Sequence, residues 1–161
     1  MFTKNGKALT ARGVKPICPF QQVFQSTYLF GAFSPIDGSS FLLELPHCNS
    51  ENFQLFLDEL SKQNPDEFKI MVIDNGAFHK AKSLSIPKNI GLLFLPPYSP
   101  ELNPAEKMWA YAKRDFSNRL FKTLDDLSNY LEIVCRNITK ERVKSTCAFQ
   151  YIFVDNFWSI I

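Results

Sequence analysis

Apolar residues in this chain recur with two different spacings, and the places where the spacing changes mark the elements. "QQVFQSTYLFGAF", Gln21 to Phe33, is rich in β-branched and aromatic residues. The turn sequence "SPIDGSS" separates it from a second apolar run, "FLLEL", Phe41 to Leu45, and together they predict a β-hairpin. Phe53, Phe56, Leu57 and Leu60 then follow the i, i+3, i+4, i+7 spacing of a helix capped by Asn49 or Ser50 and ending near Asn64-Pro65. "FKIMVID", Phe68 to Asp74, and "IGLLFLP", Ile90 to Pro96, are short and nearly continuous apolar runs, which suit strands buried on both faces of a sheet. "AFHKAKSL" between them predicts a short helix or helical turn. Asn103-Pro104 is a strong helix start, with Asn as cap and Pro at the first helical position, and that helix should run from Pro104 to about Ser117. Thr123 with Asp126 three residues later has the form of a capping box, opening a helix with Leu124, Leu127, Leu131 and Val134 on one face. The order strand, strand, helix, strand, short helix, strand, helix, helix predicts an α/β fold with a mixed sheet, without internal repeats or a linker.

At 161 residues, 45% of them hydrophobic and sixteen of them phenylalanine, the chain has material for one domain over 1–161 with a sizeable core. Its last segment, about 148–161, is apolar and aromatic, a tail packed on the body or a surface awaiting a partner. A formal net charge of +2 argues against a polycationic nucleic-acid binder, so any such partner would meet a local basic face. Cys18, Cys48, Cys135 and Cys147 lie far apart, with no CxxC pair and no nearby histidine completing a zinc set, and they read as buried thiols in a reducing compartment. No leader-like apolar segment opens the chain and no window approaches the roughly 18 apolar residues of a membrane span, so a cytoplasmic location without membrane contact is expected.

Asp74 ends the apolar strand "IMVID" and precedes Asn75-Gly76, so it should emerge at a strand's C-terminal edge, where open α/β sheets place their sites. The plainer alternative is that it opens a turn, as Asp-Asn-Gly sequences often do. Glu106 occupies the third helical position after Asn103, where a capping-box glutamate folds back onto the cap's own N–H. Yet the rigid turn through Pro96, Pro97 and Pro100 would aim the first helical turn back toward Asp74. Two convergent carboxylates without His or Cys ligands form a hard-oxygen site suited to magnesium or manganese and to phosphoryl transfer. A two-ion arrangement normally needs a third acid. Asp37 and Glu44 in the hairpin and Glu101 in the proline loop have no strand-end position like that of Asp74, so none is assigned. His79 could orient substrate or simply start a helix at the surface. Trp109 reads as core rather than as a stacking platform. Lys107, Lys113 and Arg114, with Lys80 and Lys82, could contact phosphates or form an ordinary solvated face.

"VIDNGAFHKAKSL", Val72 to Leu84, followed by "LLFLPPYSPELNPAEKMWAYAKRDF", Leu92 to Phe116, closely resembles the catalytic core of the mariner-type DDE transposases, in particular their bacterial insertion-sequence branch. The resemblance runs from about Gly13 to Leu127. It implies a ribonuclease-H-like fold, a mixed sheet with flanking helices. It further implies two divalent metals, Mg2+ or Mn2+, and DNA cleavage and strand transfer at transposon ends, with transposon and target DNA as partners and a homo-oligomer as a further possibility. By that resemblance Asp74 matches the second acid of the triad and Glu106 the third, both as catalytic metal ligands. Asn75 and His79 fall in the motif around the second acid, and Asn103 and Pro104 in the motif around the third. The family's first Asp lies on the first, central strand, ahead of the segment resembling "GKALTARGVKP", and here that strand is missing. The expectation is therefore a C-terminal part of a transposase, inactive alone and with unpaired sheet edges. The alternative is a catalytically inactive remnant that binds only DNA or protein.

Overall fold

The hairpin forms because each of its strands alternates. In the computed structural model, which describes residues 12, 26–116 and 119–153, β1 (Tyr28–Phe33) pairs antiparallel with β2 (Ser40–Leu45), from Tyr28 opposite Leu45 to Phe33 opposite Ser40. Phe30, Ala32, Phe41, Leu43 and Leu45 point to one face, where they pack against α1 (Ser50–Lys62). Leu29, Phe33 and Leu42 point to the other, toward the C-terminal helices, as a period of two requires. Asn49 rather than Ser50 caps α1, accepting the Asn52 N–H at 2.9 Å. The expected strand start at Gln21 lies outside the described residues, and Ser26 and Thr27 precede the ladder.

The two apolar runs form β3 (Lys69–Ile73) and β4 (Ile90–Phe94), paired in parallel with Lys69 opposite Ile90 and Ile73 opposite Phe94. Their connection includes a 3-10 turn at Ala77–Lys80, where a helical turn is expected. Phe53, Phe56, Leu57 and Leu60 of α1 bury one face of both ladders in a single core with Leu45, Ile73 and Ile90. The fold is therefore mixed α/β, but among the described residues the strands form two two-stranded sheets, β1–β2 and β3–β4, with no ladder joining them. The expectation that β3 and β4 are buried on both faces is not met, since Ile70 is 44% exposed and Phe94 36%. The reason is that α1 covers one face of that pair only, and the apolar run encodes more burial than the described elements supply.

A 3-10 turn at Pro100–Leu102 leads into α2 (Pro104–Asp115), followed by α3 (Leu124–Arg136) and α4 (Lys140–Cys147). Met108, Ile138, Val143 and Cys147 make one core patch, and Ala112, Phe116, Leu131 and Val134 another. Trp109 is a packing residue, as expected: it meets Phe33 edge-on at 5.3 Å. It lies so close to Gly31 that a Cβ there would sit 2.6 Å from the indole, so any other residue at this strand position would push the Trp109 ring aside. α2 stops at Asp115, two residues before the expected end, and α4 is an element the hydrophobic pattern does not reveal. Of the apolar tail, a 3-10 turn at Gln150–Phe153 is described, and Ile152 is buried in it. No helix among the described residues is long and apolar enough to cross a membrane.

Candidate active site

Asp74 follows directly on β3, and three local features fix its carboxylate. Oδ1 accepts the Gly76 N–H at 2.9 Å, which closes an Asx turn. His79 Nδ1 stands 2.9 Å from the same oxygen and 3.3 Å from the Asp74 carbonyl. Both partners are acceptors, so Nδ1 carries the hydrogen and donates. The imidazole is only 14% exposed, wedged against Phe53 of α1 and Phe78 with ring centroids 4.6 and 4.0 Å away, whereas the Asp74 side chain is 57% exposed. A Cβ at position 76 would stand 3.1 Å from Asp74 Oδ1 and 3.2 Å from His79 Nδ1, so glycine permits this approach. The turn and the outward site are thus compatible: one carboxylate oxygen is tied down and the side chain still faces solvent. Nearby, Cys48 is exposed where a buried thiol is expected, because it lies in the connection between β2 and α1, and its thiol pKa is raised, by partial desolvation first and by the charge of Asp74 second.

Asn75, in the motif around the second acid, joins the strand ends. Its Nδ2 donates to the Leu95 carbonyl, and Lys80 Nζ donates to its Oδ1 while lying 5.0 Å over the Phe94 ring. With the Leu95 N–H donating to the Ile73 carbonyl at 2.9 Å, these bonds hold the end of β4 beside the residue that precedes Asp74. The chain that leaves β4 toward α2 therefore starts at the Asp74 edge.

Glu106 stands in the first turn of α2, and the capping role that local sequence suggests is already filled. Asn103 is the cap, and its side chain accepts the Ala105 N–H at 3.1 Å. The Asn103 N–H, to which a capping-box glutamate would bond, donates to the Pro100 carbonyl at 3.0 Å through the preceding 3-10 turn. Among the described residues Glu106 makes no side-chain hydrogen bond or ion pair, and it is exposed. Two contacts from the far end of the chain secure this entry: the Tyr151 hydroxyl donates to the Leu102 carbonyl, and Cys147 Sγ lies 3.9 Å from the Pro104 carbonyl. Sequence reasoning missed both residues, because the contacts span more than forty positions and neither belongs to a motif. Cys147 is wholly buried, which pushes its thiol up to about 11.

The basic residues around α2 are engaged with aromatic faces. The Lys107 ammonium lies 4.2 Å over Phe149, and the Arg114 and Arg142 guanidinium groups lie 5.4 and 5.0 Å from the Tyr111 ring. Lys113 and Arg114 are exposed on the last turn, away from the Glu106 end of the helix. Asp37 and Glu44 have structural work. Asp37 accepts the N–H and hydroxyl of Ser39, and Glu44 accepts the Ser128 hydroxyl at 2.6 Å. Among the described residues no group of three or more His, Cys, Asp or Glu side chains converges to hold a metal ion.

Comparison with known proteins bears on this arrangement. The family model described as DDE superfamily endonuclease matches residues 3–128. An uncharacterized protein of Sinorhizobium fredii (strain NBRC 101917 / NGR234), y4pE/y4sA, is 35% identical over 136 residues, which cover 83% of this chain and 90% of that protein. Similar solved structures include a pre-cleavage Mos1 transpososome (TM-score 0.67, 16% identity) and the Mos1 transposase paired-end complex with left transposon end (TM-score 0.66, 17% identity). The alignments cover 91% of this chain and 48% and 47% of those chains, so this chain spans about half the length of the Mos1 chains it matches. At such identities the likeness establishes the fold alone, shared with the matched half of the Mos1 chains.

Proposed function

This chain belongs to the DDE superfamily endonucleases, and on that premise we propose that it is the catalytic domain, or the larger part of it, of a mariner-type insertion-sequence transposase that cuts and joins DNA at transposon ends. The observation that carries the reading is the spare Glu106. The turn through Pro100 takes over the backbone bond that would otherwise engage it, and the carboxylate is left exposed on the helix that the Asp74 edge leads into. The Mos1 structures are complexes of a transposase, one of them with a transposon end, and this supports DNA as the partner here.

Asp74 and Glu106 offer hard carboxylate oxygens, and no lysine or arginine is paired with either among the described residues, a donor set that fits Mg2+ or Mn2+. Such ions, when bound, neutralise charge on a phosphodiester and activate the attacking oxygen. Two acids are fewer than a two-ion site needs, so a third is to come from outside the described residues. In the chemistry we propose, water attacks a phosphodiester at the transposon end and the bond to the 3′ oxygen breaks. The 3′-hydroxyl so freed then attacks a phosphodiester of the target, forming a new phosphodiester as the bond to the target's 3′ oxygen breaks and that strand leaves with a free 3′-hydroxyl. The tied Oδ1 leaves the second oxygen of Asp74 for a ligand, and Asn75 keeps the two strand ends together. Lys113 and Arg114 would meet DNA phosphates through charge, with the salt dependence that implies. Joining two transposon ends calls for a homo-oligomer, and work on the chromosome calls for a place in the nucleoid.

The test is titration of the full chain with Mn2+ in parallel with Asp74→Asn and Glu106→Ala, followed by cleavage of an end-bearing duplex by the chain as it stands and with an added segment that supplies a third acid. Binding that depends on both acids supports the reading, and binding indifferent to both overturns it. A second reading, a domain that binds DNA without cutting it, draws on the absence of a three-acid group among the described residues. It predicts DNA binding with no cation-dependent cleavage in either form.

A further inference from the structure

The loop that carries the chain from the Asp74 edge to Glu106 contains one residue that the fold itself does not use. Tyr98 is fully exposed, at 101% relative accessibility, and its backbone has φ of 60°, in the left-handed region. Bulky residues are rarely found there, and a tyrosine has no local means of compensating, as an asparagine or glycine would. Among the described residues its ring has no aromatic or cation–π partner, although Phe94, Tyr111, Tyr130 and Phe149 all have one. Two unfavourable features, an aromatic ring in water and a strained backbone, thus coincide at one position. Pro96 and Pro97 precede it and Pro100 follows it, opening the 3-10 turn, so the backbone around it has little freedom to relax. The strand-end bonds at Leu95 and the bond from Tyr151 to Leu102 fix both ends of the loop. The ring is therefore a rigidly mounted, solvent-facing π surface on the loop that runs from the Asp74 edge to the helix of Glu106.

Strain that the surrounding structure enforces and no internal contact explains is a pointer to a ligand. The chemistry that matches a bare tyrosine face is another flat π surface. Resting on the DNA reading above, we propose that Tyr98 is a stacking platform for an unpaired nucleobase of the DNA beside the scissile phosphate. A stacked base is held by its face and not by its edge, so the platform tolerates any base and selects for DNA that is unpaired at that position. It would thereby favour strand ends and distorted junctions over intact duplex, independently of the acids.

The experiment uses the full chain and two duplexes of the same sequence. One is fully paired, and the other carries a single unpaired 2-aminopurine beside a nick. The wild-type chain should bind the unpaired form more tightly and quench its fluorescence. Tyr98→Phe should keep both effects, because the ring is retained, and Tyr98→Ala should lose the quench and weaken binding to the unpaired form about tenfold, while binding to paired DNA changes little. Tyr98→Gly should lose the quench in the same way and raise the melting temperature, because glycine adopts this φ without strain. Equal binding and equal quenching by wild type and Tyr98→Ala would overturn the platform while leaving the DNA reading intact. Loss of self-association in Tyr98→Ala with unchanged quenching would assign the ring to a protein interface and also overturn it. A wild-type chain that binds neither duplex would contradict the DNA reading itself.

Discussion

Helices α2 and α3 begin with the same short pattern, a capping residue followed three positions later by an acid, and they use the acid in opposite ways. At α3 the Thr123 side chain accepts the Asp126 N–H at 3.0 Å and the Thr123 N–H donates to the Asp126 carboxylate at 3.2 Å, so both halves of a capping box are present. At α2 the Asn103 N–H donates to the Pro100 carbonyl and Glu106 is left with no such bond. The difference lies upstream of the helix. A 3-10 turn built on Pro100 delivers a carbonyl to the cap, whereas Thr123 enters from a segment that offers none. A helix start is satisfied equally well by a backbone carbonyl or by its own acid, and the choice decides whether that acid is consumed by the fold or left for chemistry. Asp74 combines the two outcomes, with one oxygen spent on Gly76 and His79 and the side chain still open to solvent.

Substitutions at the two classes of acid should separate along this line, and the largest effect belongs to the open ones. Asp74→Asn should weaken divalent-cation binding by about a hundredfold or more, since even residues that only support a metal ligand cost 10–100-fold, and calorimetric titration with Mn2+ would measure it. Next in size is the cap of α3. Thr123→Ala should cost about 1 kcal/mol, lowering the melting temperature by roughly 2–4 °C in scanning calorimetry without touching cation affinity. Asp126→Ala should cost about 0.5 kcal/mol, and the Thr123/Asp126 double mutant should cost less than the sum, because the two bonds are reciprocal.

The smallest effect concerns Asp37, an acid consumed by the β1–β2 turn. The Ser34 hydroxyl, together with Ser39, holds its pKa down, from 3.8 to about 2. Because the folded value is depressed, the associated stability is present above pH about 4 and is lost as pH falls through about 2. The group is exposed and screened, so the effect should be slight. Asp37→Asn should flatten the acid limb of the stability curve between pH 4 and 2 and remove the same slight increment at neutral pH.

Much of this was legible in the sequence, and the reasons for the gaps are physical. The period of 3.6 in Phe53, Phe56, Leu57 and Leu60 and the capping chemistry at Asn103 and Thr123 are local signals, and α1, α2 and α3 follow from them. α4 has only Val143 and Cys147 as buried positions, too few to form a periodic pattern, although its Thr139 cap is an ordinary one. The apolar runs of β3 and β4 indicate burial on both faces but cannot say what supplies it, and the exposed Ile70 shows the limit of that inference. Asp74 could be placed at a strand end from its neighbours alone. The role of Asn75 could not, because its partner, the Leu95 carbonyl, is on another strand. The freedom of Glu106 was the hardest to see. It depends on one backbone bond from Asn103 to Pro100, and local sequence favoured the opposite answer.

Glu106→Ala tests the central claim most directly, with thermal stability and Mn2+ affinity measured on the same sample. If Glu106 is an acid spared by the proline turn, the melting temperature stays within about 1–2 °C of wild type, as for a surface substitution, and cation binding is lost. A drop in stability like that of Thr123→Ala, with cation binding unchanged, would show that Glu106 is a cap after all and contradict the account.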